Sequence, residues 1–182
     1  VFRVCKKGSK DKFLHYIDPR RFGRITACTK AEFETHPLFC HLGVEPLETR
    51  KLGDFLWQKA QKRTLPVKNF LMNAQVVVGI GNIYASEACY ASGINPQRKA
   101  CEVAKDRYIR LGVEIKKILK KAIQRGGTTL KDFESLEGKP GYFSQALKVY
   151  GRAGLPCFQC KSLVKVFRQS GRSSFYCARC QK

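Results

Sequence analysis

Cys157-Phe-Gln-Cys160 and Cys177-Ala-Arg-Cys180 decide how this chain is read. Each C-x-x-C places two thiols on one tight turn. The sixteen residues between the pairs suffice for a hairpin that brings the two turns together. Four sulfurs in that spacing predict a single structural zinc ion held tetrahedrally. Two disulfides, or four idle thiols, are the alternative. The expected hairpin strands are 164–167 and 173–176, with Arg172 at the tip. Arg152, Lys161, Lys165, Arg168, Arg172, Arg179 and Lys182 surround the pairs, so the metal-folded end of the chain is also basic.

The same bias runs through the whole sequence. Thirty-five Lys or Arg stand against fourteen Asp or Glu, a formal charge of +21 over 182 residues. That excess points to a polyanionic partner, bound less tightly as salt rises. No acidic residue follows Glu137, whereas nine basic ones do. A membrane surface is the rival partner, but no apolar run approaches spanning length and no signal peptide is visible. The reading is no membrane. Nine cysteines is an odd number. Cys5, Cys28, Cys40, Cys89 and Cys101 are scattered among apolar residues and read as free thiols of a reducing compartment, hence a cytoplasmic, nucleoid-associated address. The chain is long enough for one to two domains. It opens on Val1 in what reads as the middle of a strand, and its only methionine is Met72, so a preceding segment is expected.

Toward the N-terminus the pattern changes twice. Residues 1–28 alternate and favour strands, with Lys7-Gly-Ser-Lys-Asp11 as a hairpin turn and 24–28 as a third strand. Residues 31–36 read as a short helix stopped by Pro37. From Thr49 the period becomes helical: 52–63, then 66–72, then a helix from Asn82 to near Gly93, then 105–125. In the last, Tyr108, Leu111, Ile115, Ile118, Leu119 and Ala122 form the apolar stripe. Arg110, Lys116, Lys117, Lys120 and Lys121 form its outer face. The layout is a helix–two-turn–helix, distinct from the helix-turn-helix that lays a helix in the major groove.

The densest stretch is Val76-Val-Val-Gly-Ile-Gly-Asn-Ile-Tyr-Ala-Ser-Glu87. Its Gly-x-Gly lacks the third glycine and the βαβ unit of a dinucleotide site. Two readings stay open. Backbone N–H groups and the Asn82 side chain at a helix N-terminus form an anion site suited to DNA phosphate, or Asn82 simply caps the helix. Residues 133–146, centred on Glu137-Gly-Lys-Pro-Gly-Tyr-Phe143, read as a loop, either a mobile lid or a linker.

Four stretches taken in order carry a resemblance: Asp18-Pro-Arg-Arg-Phe-Gly23; residues 68–87; Gly138-Lys-Pro-Gly-Tyr-Phe143 through Val149-Tyr-Gly-Arg152; and the C-terminal cysteine finger. Together they resemble the formamidopyrimidine-DNA glycosylase family of bacterial base-excision repair enzymes, over essentially the whole chain and the C-terminal two-thirds of such an enzyme. The resemblance implies a multi-domain α+β fold. Residues 1–46 would be the remnant of an N-terminal β-sandwich, and 47–138 a helix–two-turn–helix DNA-binding domain with the start of the lid loop. Residues 139–182 would be the end of that loop and a β-hairpin zinc finger.

It also implies a monomeric glycosylase and AP lyase acting on damaged double-stranded DNA. Such an enzyme removes 8-oxoguanine and formamidopyrimidines by base flipping, a Schiff base and β,δ-elimination. Arg20 would bond the widowed cytosine, Phe22 would wedge into the stack, and Arg21 would hold phosphate. The plain alternative for Phe22 is a core aromatic. Lys68 and Asn82 would hold phosphates flanking the flipped nucleotide, Tyr84 would join the DNA contacts, and Gly141, Tyr142 and Phe143 would cover the extruded base. Arg172 resembles the finger arginine assigned to the elimination step. A guanidinium hardly deprotonates, so its expected part is electrostatic. Cys157, Cys160, Cys177 and Cys180 would hold zinc. The family's nucleophilic proline, the glutamate after it and a β-domain lysine have no counterpart here, so this polypeptide by itself is expected to bind DNA only. The alternatives are an endonuclease VIII-like enzyme for oxidised pyrimidines and a non-catalytic zinc module.

Overall fold

The computed structural model describes residues 2–4, 12–16, 18, 23–127 and 146–182. The expected wedge residues Arg20, Arg21 and Phe22 and the expected lid residues Gly141, Tyr142 and Phe143 lie outside the described residues. So do the Lys7–Asp11 turn and most of the 133–146 loop. Contacts divide the chain into two units, Val1–His36 and Pro37–Lys182.

In the first unit, strands β1 (Phe2–Val4) and β2 (Lys12–Leu14) pair antiparallel, with Phe2 opposite Leu14 and Val4 opposite Lys12. None of the described residues whose burial is known here is buried, as expected for two strands, which cannot enclose a core. Helix α1 (Lys30–Phe33) starts at a capping box: the Glu32 N–H donates to Thr29 Oγ1, and the Thr29 N–H donates back to Glu32 Oε2. Residues 24–28 form no strand, contrary to the alternation in their sequence. No described neighbour offers them a ladder, and a strand exists only through its partner's hydrogen bonds. The Asp18 carboxylate accepts from the Gly23 N–H at 2.6 Å, tying together the two ends of the 18–23 stretch.

The second unit is helical, with a hairpin at its end. Its elements are α2 (Leu52–Ala60), α3 (Val67–Leu71), α4 (Asn82–Ala91), a 3₁₀ turn (Ala100–Glu102) and α5 (Lys105–Gln124). Strands β3 (Lys165–Gln169) and β4 (Arg172–Tyr176) follow. The expected stripe of α5 is the core face: Tyr108, Leu111, Ile115, Leu119 and Ala122 are all buried, and Ile118 is partly so. Tyr108, Leu111, Ile115 and Leu119 pack on Leu52 and Leu56 of α2, Phe70 and Leu71 of α3, and Ala85, Ala88 and Cys89 of α4, whereas Ala122 packs with Leu147. Tyr108 meets Phe70 edge-on at 6.3 Å and spends its hydroxyl on the Ala100 carbonyl at 2.9 Å, so a buried phenol is satisfied. No helix among the described residues is long and apolar enough to cross a membrane.

Two backbone approaches set this geometry. Helices α2 and α5 cross at Gly53 and Gly112, where a Cβ on Gly112 would stand 2.4 Å from the Gly53 nitrogen. The Val76–Val78 run forms a single parallel bridge, Val44 to Val77, instead of a strand. Gly43 makes room for it, since a Cβ there would meet the Val76 carbonyl carbon at 2.2 Å. Gly79 then turns the chain at φ +75° into α4. The cysteines expected in apolar surroundings divide: Cys89 is buried, its thiol pushed up to about 12 by burial, whereas Cys28 and Cys40 are exposed. Nearby apolar residues in sequence do not by themselves guarantee burial.

Gly→Ala inside a helix ordinarily stabilises by roughly 1 kcal/mol. At the α2–α5 crossing the sign reverses. Gly112→Ala is expected to lower stability by about 1–3 kcal/mol, as overpacking does, read as a lower urea midpoint at unchanged slope. A midpoint that stays or rises would mean the two helices separate without cost.

Candidate metal centre and nucleic-acid interface

The four cysteines meet. Their sulfurs all lie within 4.8 Å of one another, with Cys157 to Cys180 at 3.9 Å and Cys160 to Cys177 at 3.3 Å. Four sulfurs around zinc at 2.3 Å stand about 3.8 Å apart, and a disulfide would need about 2 Å. The donor set therefore fits one tetrahedral zinc ion, and the disulfide alternative is not adopted. Each C-x-x-C is a closed turn: the Lys161 N–H donates to the Cys157 carbonyl and the Gln181 N–H to the Cys177 carbonyl, both at 3.0 Å. Lys161 takes φ +64° to close the first. The Cys160 thiol is drawn down to about 6, chiefly by its hydrogen bond from the Ser162 side chain. Burial, followed by the neighbouring sulfurs, drives the Cys180 thiol up. One dication resolves that conflict by stabilising all four as thiolates.

The finger is fastened to the helical body. Gln181 is 1% exposed, accepts from the Cys177 N–H at 2.8 Å and donates to the Ile94 carbonyl at 2.8 Å. The Lys182 N–H donates to the Gly93 carbonyl, and the Asn95 N–H to the Lys182 carbonyl. Glu87 of α4, 5% exposed, accepts from the backbone N–H groups of Lys148, Val149 and Tyr150 at 2.8–2.9 Å. One buried carboxylate thus anchors the segment that leads into the finger, since three backbone donors suit its two oxygens. It also sets Tyr150, whose ring lies against Phe175 at 4.9 Å.

Between these two fastenings lies a polar node. Lys68 is 1% exposed, and its ammonium donates to Asn82 Oδ1 at 2.5 Å, Ser174 Oγ at 2.6 Å and the Ser173 carbonyl at 3.2 Å. Asn82 Nδ2 donates to the Tyr150 hydroxyl at 3.2 Å and to the Ser173 carbonyl at 3.1 Å. Asn82 is the first residue of α4 and makes no cap, because Gly81 holds the N-cap position without a side-chain bond. Its amide is committed to the finger instead. Beside the node, Lys68, Asn69, Met72, Gln169, Ser170 and Arg172 line a shallow cavity of about 270 Å³. Arg172 pairs with Gln169 across the Ser170-Gly171 turn, so it stands exposed at the hairpin tip as expected. Tyr84 is half-buried where the helical core meets the Ala122–Leu147 cluster.

Lys68, Asn82 and Arg172, separated by up to 104 positions, are thus brought to one place, with Tyr84 packed close by in the core. Sequence reading missed Glu87, Tyr150, Ser173, Ser174 and Gln181. Glu87 alone carried a signal, as the single acid in the 76–87 stretch. The others contribute hydroxyls, amides or carbonyls whose partners become visible only once the hairpin is docked.

Burial holds Lys68 to about 8, down from 10.5, and the Arg172 charge adds to the effect. Between those values the unfolded chain binds a proton that the folded chain has shed, so stability rises with pH through that window. Urea midpoints followed from about pH 8 to about pH 10 are expected to rise more in the native sequence than in Lys68→Met. Parallel profiles would show that this lysine keeps its proton on folding.

Comparison with known proteins agrees with this geometry. The formamidopyrimidine-DNA glycosylase H2TH domain matches residues 42–134, and the zinc finger found in FPG and IleRS matches 154–182. Formamidopyrimidine-DNA glycosylase of Salmonella arizonae is 48% identical over 174 residues, covering 96% of this chain and 64% of that protein. That of Stutzerimonas stutzeri is 50% identical over 169 residues, covering 93% and 62%. The crystal structure of the MutM (Fpg) protein of Thermus thermophilus superposes with TM-score 0.82 at 34% identity, over 90% of this chain and 62% of that one. The Lactococcus lactis Fpg in complex with abasic-site DNA gives 0.76 at 27%, over 84% and 56%. The chain spans 62–65% of the length of the curated relatives it matches. With its helical domain, its cysteine finger and the junction between them all matched, the chain belongs to the formamidopyrimidine-DNA glycosylase family.

Proposed function

We propose that this chain is the DNA-gripping part of a base-excision repair glycosylase and AP lyase that removes oxidised purines from duplex DNA. The observation that carries this reading is the node at Lys68. A helix–two-turn–helix body and a zinc hairpin are locked together so that the α4 N-terminus, Asn82 and the exposed Arg172 share one basic surface beside an open cavity. Such a surface suits the phosphates on either side of a nucleotide turned out of the stack. Lys68 spends all three of its donors inside the protein, so its part is to supply field and to hold Asn82. Arg172 has the exposure that a direct phosphate contact needs.

The remaining roles follow the family pattern. Arg20 and Phe22 would fill and brace the hole left by the flipped base, and Arg21 would hold phosphate. Gly141, Tyr142 and Phe143 would close over the base, and Tyr84 would support the DNA face from the core. The domain layout would be 1–46, 47–138 and 139–182, with the imine-forming amine supplied by the whole protein and not by any residue assigned here. A monomer acting on chromosomal DNA in the cytoplasm completes the reading. Formamidopyrimidine-DNA glycosylase relatives at 46–50% identity favour it over a pyrimidine-specific enzyme or a purely binding zinc module.

Borohydride trapping tests the chemistry. The whole protein, incubated with duplex DNA carrying 8-oxoguanine, is expected to form a covalent adduct on reduction, and a protein that binds without cross-linking would overturn the lyase assignment. Binding by this chain tests the interface. Arg172→Ala is expected to weaken duplex binding about tenfold, as loss of one charge-assisted contact does, and to lower the salt dependence. Removing zinc with a chelator is expected to abolish binding together with the hairpin. Affinity unchanged in the metal-free protein would refute the role of the finger.

A further inference from the structure

Helix α4 reaches the metal centre at its far end. The Tyr90 hydroxyl lies 3.2 Å from Cys157 Sγ. Cys157 is fully buried, and Tyr90 packs with the cluster of Val149, Cys157, Val164 and Cys177. A zinc-bound cysteine is a thiolate without a proton, so within this pair only the phenol can donate. We propose that Tyr90 is an outer-shell positioning residue of the zinc site, its O–H donating to the Cys157 thiolate and coupling metal retention to the packing of α4.

The chemistry favours such a donor. Four thiolates around one dication leave a net charge of −2 in a site where Cys157 and Cys177 are both buried. Hydrogen bonds to sulfur spread that charge and hold the ligand in its coordinating direction, the general task of groups behind the first ligand layer. Tyr90 also stands apart from the knuckle backbone, which any C-x-x-C turn supplies for itself. It comes from a helix 67 residues away in sequence. That same helix holds Asn82 in the polar node and Glu87 against the backbone of 148–150. Loosening the metal would therefore be felt along α4, and displacing α4 would be felt at the metal.

The inference rests on the four cysteines holding zinc, and the test separates the two. Metal analysis of the native protein must first give one zinc per chain; a zinc-free native protein would overturn the metal reading itself. Tyr90→Phe keeps the ring and removes only the donor. It is expected to lose zinc to a competing chelator about tenfold more readily than the native protein, within the range seen for outer-shell changes. In the cobalt-substituted protein, the sulfur-to-metal charge-transfer band is expected to move to lower energy, because an unbonded thiolate is more electron-rich. An unmoved band with equal chelator competition would overturn the role of Tyr90. Should Tyr90→Phe fail to fold, a fluorinated tyrosine at position 90 decides the matter: its more acidic hydroxyl should move the cobalt band to higher energy, and an unmoved band counts against the proposal.

Discussion

A buried ammonium sets the terms for this structure. Lys68 is enclosed to 1% exposure, and an unpaired charge there would be prohibitive. It is tolerable because three oxygens converge on it, one from the start of α4 and two from strand β4. Those acceptors are in place only when the hairpin lies against α3 and α4 in one register. The lysine thus makes the docking of the finger close to all-or-none. Moving the hairpin by one residue would turn Ser174 away and leave the charge without its partner.

The zinc site and the Glu87 cradle serve the same docking from either side. A two-stranded hairpin of five residues per strand is marginal by itself, and metal binding supplies the folding energy that its small cluster of Val149, Cys157, Val164 and Cys177 lacks. Gln181 and Glu87 then carry that rigidity to the helical body through buried hydrogen bonds to backbone groups. The proposed functional surface is assembled from the outcome. Asn82 is immobilised by bonds to the finger, and Arg172 is presented at a turn whose base is clamped. Preorganisation of this kind would spare the proposed DNA-binding surface the cost of ordering its contacts at the moment of binding.

Close backbone approach is the second constraint. Gly53 on Gly112 lets α2 and α5 pack nearer than side chains allow, and Gly43 does the same for the 74–78 segment. That segment carries three consecutive valines, yet it forms one bridge to Val44 and no ladder. The same logic disposes of the strand expected at 24–28. β-branched composition describes a fit to a pleated, half-buried surface, and without a partner it has nothing to fit.

The sequence by itself determined the elements whose evidence is local. Cysteine spacing determined the metal ligands, since a C-x-x-C turn brings its own two sulfurs together whatever surrounds it. The 3.6-residue stripe of α5 determined the core face of the helical body, and the glycine turn before Asn82 determined where α4 begins. Tertiary structure alone decided what the polar residues do. Asn82 could also be read as a cap, and it became a partner of the finger only because Gly81 took the cap position and Ser173 arrived from 91 residues away. Lys68 gave no sign of burial, Glu87 none of its three backbone donors, and Tyr90 none of its place beside Cys157. The physical reason is the same in each case: a hydrogen bond between distant segments has no period and no spacing in the chain, and it exists only after the hydrophobic and metal-bound parts have brought its two ends within about 3 Å.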